Sequence, residues 1–358
     1  MKKVKVGVIG CGNVSELYLK VLTKAPEIEV VACGDIIKDK ALTIAKEFKI
    51  PKVYNVEELL DNEEIELIIN LTPPTKHYLI TKKAILNRKN IFSEKPLAGS
   101  FSEVLELTNL AREYHVILNC APDNYLGTIV QSANNILHDG ILGSIIHVNA
   151  VMLSNGPEEW HPNPEFFYMR GAGPVLDRGI YYISEMVSLL GSVEKVYALS
   201  SRALTKRFSK IQSRYFPVEV DTHVSCMLRF RCGTIGTLTT SFDIETHDND
   251  NLLEFLGSKT SMRLPSPMAY NGNVLIWNEE NMKWERYSSN VMGYDIDEES
   301  RGIGAVEMAK DILQRSNRYD HTHFLEHIYE VVFAIEESYR LKKEITIKSN
   351  LKDKPFYL

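Results

Sequence analysis

Little in this chain invites extracellular chemistry, membrane insertion or nucleic-acid binding. Its 358 residues hold only 5 cysteines, Cys11, Cys33, Cys120, Cys226 and Cys232, an odd number scattered without C-x-x-C spacing. That pattern encodes neither a disulfide framework nor a cysteine-type zinc site, and it fits small buried residues of a reducing compartment, so a cytoplasmic location is expected. No apolar run approaches the ~18 residues of a membrane span. Met1-Lys2-Lys3 begins like a signal peptide, but a glycine-interrupted strand follows without a small-residue cleavage pattern, so no export signal is read. Positive charge is not in excess: 41 Lys and Arg stand against 47 Asp and Glu, leaving no basic footprint for nucleic acid. Internal repeats, low-complexity tracts and a Ser/Pro-rich linker are missing as well.

What is present is length and a change of grammar partway along it. A chain of this size can bury two cores. From Val4 to about Cys120, strand-like runs (VKVGVIG, EVVACGD, LIINLTP, NIFSEKP, VILNCAP) alternate with helical stretches (ALTIAKEF, VEELLD, YLITKKAIL, SEVLELTNLAREY). That alternation predicts a parallel, doubly wound α/β sheet. After Asp123 a helix, TIVQSANNILHDG, leads into SIIHVNAVML, VEKVYALSS, THVSCMLRF, GTIGTLTTSF, NLLEFLG and NVLIW. Strands with few helices between them predict an α+β domain with an open, mostly antiparallel sheet. The expected division is residues 1–122 and 123–358. The last strong element is a helix from about Phe324 to Leu341, placed near the domain junction.

The glycines open the first domain. After the strand Val4–Ile9 come Gly10-Cys11-Gly12 and then a helix beginning SELYLKVL. Gly10 permits a tight turn, Gly12 lets backbone approach a pyrophosphate, and the helix N-terminus offers positive potential to the diphosphate. Ser15 replaces the third glycine of G-x-G-x-x-G. About 20 residues on, a second strand ends in Asp35, whose carboxylate can accept from the ribose hydroxyls and would repel a 2′-phosphate. NAD is therefore favoured over NADP, although Lys38 is near. Ligands of such sheets bind beyond the carboxyl ends of the strands, so Asp35, Thr72-Pro73-Pro74, Glu94-Lys95-Pro96 and Ala121-Pro122-Asp123 are expected along one edge. There an ammonium at Lys95 could lower the pKa of a substrate hydroxyl and stabilise a developing alkoxide.

A helix from about Pro174 to Leu190 would turn Ile180, Ile183, Val187 and Leu190 inward and set Asp177 and Tyr181, four residues apart, on another face. Such a carboxylate and phenol can bind adjacent hydroxyls and pass a proton. The spacing equally fits a helix-start Asp favoured by the dipole beside a half-buried Tyr. Trp160 and His161 lie in a loop before this helix, which Trp160 could anchor as a hydrophobic residue. His321, His323 and His327 carry zinc-like spacing but no accompanying carboxylate motif, so they are read as a solvated helix and no metal is expected. His247 and Asp248 are read as a polar loop.

VGVIGCGNVS, LTPPTKHYLITKKAILNRKNIFSEKPLA and GAGPVLDRGIYYISEMVSLLG, in this order and separation, resemble the Gfo/Idh/MocA oxidoreductases, the glucose-fructose oxidoreductase and inositol dehydrogenase group. The resemblance covers nearly the whole chain. It implies a Rossmann domain, an open-faced sheet domain, and hydride transfer between a nicotinamide and a sugar, inositol or polyol carbinol. It makes Lys95 the active-site lysine and places Asp177 and Tyr181 with it in catalysis. It further implies a cofactor shell of Gly10, Gly12, Asn13, Val14, Asp35, Ile36, Thr72, Pro73, His77, Glu94 and Lys95. The implied substrate contacts are Asp123, Asn124, Trp160, His161, Asp177 and Tyr181. Many members carry His where this chain has Tyr181. A phenol titrates near pH 10, so it would need the Lys95 charge to act as a base. The open sheet implies a homodimer or homotetramer. Two other functions share these features: a glycoside hydrolase that retains NAD, and a dinucleotide-binding regulator without turnover.

Overall fold

Six parallel strands form where the apolar runs predict them, with one short addition. The computed structural model describes residues 2–245, 251–287, 301–316 and 321–351, and the loop residues His247 and Asp248 lie outside them. In chain order the first part runs β1 (Val4–Ile9), α1 (Asn13–Leu22), β2 (Ile28–Gly34), α2 (Lys38–Glu47), β3 (Lys52–Val53), α3 (Val56–Asp61), β4 (Leu67–Asn70), α4 (Pro74–Leu86), β5 (Asn90–Ser93), α5 (Phe101–Tyr114) and β6 (Leu118–Cys120). The sheet order is β3-β2-β1-β4-β5-β6. Val4, Val6, Val8, Leu67, Ile68, Ile69, Ile91 and Phe92 are buried, so these strands read as apolar runs rather than alternating ones, as befits a sheet covered on both faces. The order reverses beside β1, and the cleft at such a switch point is where ligands bind.

The second part begins with α6 (Thr128–His138), β7 (Ile145–Leu153), α7 (Ile180–Leu190) and β8 (Val193–Ser201). A hairpin, β9 (Lys206–Ser209) and β10 (Arg214–Pro217), precedes β11 (His223–Phe230), β12 (Ile235–Ser241), β13 (Leu252–Gly257), β14 (Ser261–Leu264), β15 (Leu275–Asn278) and β16 (Lys283–Arg286). The chain closes with α8 (Ile303–Gln314), α9 (His321–Leu341) and β17 (Ile345–Thr346). Nine strands form one sheet in the order β16-β15-β14-β13-β7-β12-β11-β8-β17, and β12–β7 is its parallel pair. The expected architecture, a Rossmann-type α/β domain followed by a mostly antiparallel sheet domain, is the one observed. Two units emerge from the packing: Met1–Leu126 with Tyr294–Glu326, and Gly127–Gly293 with His327–Leu358. The excursion in the first unit is α8, which packs on α1, β1 and β6.

Two local expectations need correction. The helix expected from Pro174 starts as a π-helical turn, Val175–Gly179, and becomes α-helical only at Ile180. Asp177 therefore sits in an i→i+5 turn, where the i,i+4 neighbour rule does not apply. Nor does α7 have a solvent face: all of Ile180–Leu190 is buried. A helix apolar on most sides belongs inside, and its serines, Ser184 and Ser188, donate to the helix's own backbone, to Ile180 O and Glu185 O. Among the described residues, no helix is long and apolar enough to cross a membrane.

Candidate functional site

At the carboxyl end of β1, Gly10 has φ +101°, and a Cβ there would stand 2.5 Å from Leu71 O. Only glycine lets this turn lie against the segment after β4. Gly12 differs. Its φ is −88°, nothing would meet a Cβ within 4 Å, and it is the uncapped start of α1. The protein itself gives no reason for glycine there; a phosphate group approaching the backbone does. Asn13 and Val14 are exposed beside it, while Ser15 is buried and donates to Gly12 O at 2.6 Å. Asp35 is held in place by two backbone donors, Cys11 N to Oδ2 and Ile37 N to Oδ1, both at 2.8 Å. Each oxygen keeps a lone pair for a ribose hydroxyl. Ile36, the next residue, is 96% exposed. These features fit a dinucleotide.

Along the same edge a polar spine ties the ends of β4 and β5 together. Buried Asn70 donates to His77 O and Thr81 Oγ1 at 3.2 Å and to Ser93 Oγ at 3.3 Å, and it accepts from Thr72 Oγ1 at 2.7 Å. Pro73 caps α4. The His77 ring is buried between two backbone carbonyls, Nδ1 lying 2.7 Å from Pro96 O and Nε2 2.6 Å from Thr72 O. Desolvation lowers its pKa, opposed by those carbonyls and by the charge of Glu94. It thus bridges the Thr72-Pro73 segment and the turn bearing Lys95. Glu94 accepts from Tyr18 OH and from Lys95 N, each at 2.8 Å, and Lys95 is half-buried before a cis Lys95–Pro96 bond. Asp123 is fully buried, and Oδ2 accepts from Gly304 N at 2.7 Å, placing a carboxylate in the first turn of α8. Asn124 is buried in the short turn that follows.

In the second unit, Tyr181 is buried in α7, and Asp177 is half-buried with Arg178 Nε 3.8 Å from its Oδ2. His161 feels the Asp177 charge. Burial holds the imidazole below its ordinary pKa range, offset in part by the Asn163 backbone bond and by Asp177. Asn163 N donates to His161 Nδ1 at 3.0 Å, so the neutral ring carries its proton on Nε2. The ring meets Trp160, Phe166 and Phe167 edge-on at centroid distances of 5.4, 5.0 and 5.1 Å. Trp160 itself is 57% exposed.

The C-terminal histidines are not a solvated group. His321 is buried 3.5 Å from Asp311. His327 is buried too, Nε2 accepting from Val193 N at 2.9 Å and Nδ1 lying 2.8 Å from Ser349 Oγ, and burial lowers its pKa to about 4. His323 alone is exposed. Sequence reasoning missed Tyr18, Asn70 and Gly304, whose roles are set by long-range partners. It also missed Arg207 in β9, buried and paired with Glu158 and Asp243.

Comparison with known proteins identifies the family of both parts of the chain. Residues 4–121 match an oxidoreductase family with an NAD-binding Rossmann fold, GFO_IDH_MocA, and residues 130–263 match the GFO/IDH/MocA C-terminal domain. The chain is 24% identical over 263 residues to the uncharacterized oxidoreductase YrbE of Bacillus subtilis, covering 73% of each. It is 22% identical over 286 residues to myo-inositol 2-dehydrogenase of Thermotoga maritima, covering 79% of this chain and 81% of that one. Some other curated relatives are matched over about half to three fifths of their length. Among solved structures, levoglucosan dehydrogenase in complex with NADH and levoglucosan superposes with a TM-score of 0.82 at 19% identity, over 97% of this chain and 100% of that one, a likeness of fold.

Proposed function

The chain belongs to the Gfo/Idh/MocA oxidoreductase family, and from that premise we propose that it oxidises a carbinol of a sugar, inositol or related polyol with NAD, or in the reverse direction reduces the matching ketone with NADH and a proton. One observation carries the cofactor assignment: the open, uncapped start of α1 at Gly12, with Asp35 braced beside it by Cys11 N. Gly10, Gly12, Asn13 and Val14 would hold the diphosphate, Asp35 and Ile36 the adenosine end, and Thr72, Pro73, Glu94 and Lys95 the remainder. Bound there, the nicotinamide supplies the hydride acceptor. NAD over NADP rests on Asp35, whose charge opposes a 2′-phosphate.

The protein's own part is positioning and proton transfer. Lys95 brings an ammonium to the strand edge, braced through His77 at the following Pro96. Tyr181 and Lys95 are both assigned to proton transfer, Tyr181 taking the hydroxyl proton. Asp177 can accept from a neighbouring hydroxyl, and His161 can donate Nε2–H to one, a complementary pair suited to a diol. The relatives named for myo-inositol and levoglucosan support that substrate class. We further propose assembly through the outer face of the nine-stranded sheet, where Tyr197, Leu199, Met227 and Ile235 are exposed and Tyr197 pairs with Met227 across strands.

The test is absorbance at the NADH band as NAD and NADP are mixed with the protein and a panel of sugars, inositols and sugar acids. A rise with one substrate class, abolished in Lys95→Ala and Tyr181→Phe, is the expected result. A flat trace with NAD firmly bound would refute it in favour of an NAD-retaining glycosidase or a regulator, separable with aryl glycosides.

A further inference from the structure

The loop bearing Trp160 and His161 is laced to the β9–β10 hairpin along its length. Arg207 is paired with Glu158, Lys210 with Glu159 at 2.6 Å, and Arg214 with Glu165. Gln212 Nε2 donates to Pro162 O at 2.7 Å and to Asn163 Oδ1 at 3.0 Å. Hairpin residues 207, 210, 212 and 214 thus meet loop residues 158, 159, 162–163 and 165 in ascending order, so the two segments lie side by side.

These ties differ in weight. The Lys210 and Arg214 pairs are exposed, and pairs of that kind contribute little. Arg207 is 4% exposed and also reaches Asp243, Phe242 O at 2.6 Å and Asn155 O at 3.1 Å, while Tyr168 OH donates to Glu158. This buried knot fixes the N-terminal half of the loop. The C-terminal half is held by Gln212, which grips the two residues following His161, one of which, Asn163, holds His161 Nδ1 through its N–H.

We propose that the β9–β10 hairpin is a specificity brace, in which Arg207 and Gln212 position His161 so that its Nε2–H is presented to a substrate hydroxyl. The proposal rests on the functional reading above, which places His161 at the substrate. Gln212 is a positioning residue that touches no reacting atom. Only its donor end is used, since Oε1 is buried without a partner among the described residues. A lysine there can still donate to both oxygens, whereas a glutamate, of the same shape, cannot.

Gln212→Glu and Gln212→Lys are compared with the full-length wild type, using the carbinol that the panel identifies. Gln212→Glu is expected to raise KM about tenfold, the scale of a hydrogen bond lost at binding, with kcat within about twofold and NAD affinity unchanged. Gln212→Lys should recover most of the KM. Amide hydrogen exchange over residues 158–165 should quicken in Gln212→Glu and return in Gln212→Lys. Wild-type KM in Gln212→Glu, or unchanged exchange, overturns the brace; Gln212→Ala replaces it if the glutamate variant does not fold. A wild type that turns over no carbinol at all refutes the functional reading, while the exchange comparison still decides whether the hairpin holds the loop.

Discussion

Arg207→Met offers the sharpest energetic test of the second unit. The substitution keeps most of the side-chain volume and removes the charge that two carboxylates share: Glu158 and Asp243, whose side chains are 11% and 8% exposed. It also strips the donors from Phe242 O and Asn155 O. Breaking a buried pair by removing one partner costs about 3–5 kcal/mol, because the remaining charge stays desolvated. With two carboxylates stranded, a loss of about 4 kcal/mol at pH 8 is expected, equivalent to a Tm drop of roughly 10 °C for a unit of this size. The readout is clean, because all three tryptophans, Trp160, Trp277 and Trp284, belong to this unit, so urea unfolding followed by tryptophan emission reports on it alone. A loss below about 1 kcal/mol would refute the description of this knot as a buried charge cluster.

Three further substitutions separate roles that look alike on paper. Gly10→Ala, at φ +101° with backbone 2.5 Å from the new Cβ, should destabilise the first unit by about 2–4 kcal/mol, measured by denaturant-dependent hydrogen exchange of β1. Gly12→Ala should leave stability within about 0.5 kcal/mol yet weaken NAD binding more than tenfold in a fluorescence titration, and normal binding would remove the diphosphate from α1. His327 has a native pKa lowered to about 4 from 6.5, so its contribution is present above pH 6.5 and is lost as the pH falls toward 4. Wild-type stability should therefore fall by about 3 kcal/mol more than that of His327→Gln across this window, by urea titration at each pH, and parallel curves would contradict the burial argument.

The sequence showed its local regularities and hid its distant ones. Five of the six strands of the first sheet were legible because parallel strands covered on both faces are apolar throughout; β3, two residues long, carries too little pattern to be seen. The glycine turn and Asp35 were legible because their chemistry lies in short, ordered spacing. The π turn at Val175–Gly179 was not, since an inserted residue leaves no mark on the apolar spacing of the buried helix that follows it. Asp123 reads as a polar residue past a strand, and only a partner 181 positions away gives it the role of holding α8. The same holds for Arg207, one basic residue in a stretch rich in them, until Glu158 and Asp243 converge on it.

The return of α8 to the first unit has a temporal consequence. Gly304 packs against Phe92 and bonds to Asp123, and a Cβ on Gly302 would stand 2.9 Å from Tyr18, so this helix closes the nucleotide-binding unit. At about 5–20 residues per second, the ribosome delivers it roughly 10–40 s after Asp123 has been made. Through that interval the nascent Rossmann sheet waits without the helix that packs on Phe92 and donates to Asp123. The order of synthesis thus makes the first half of the protein finish last, and a chain cut short before Ile303 would leave a nucleotide fold without its closing helix.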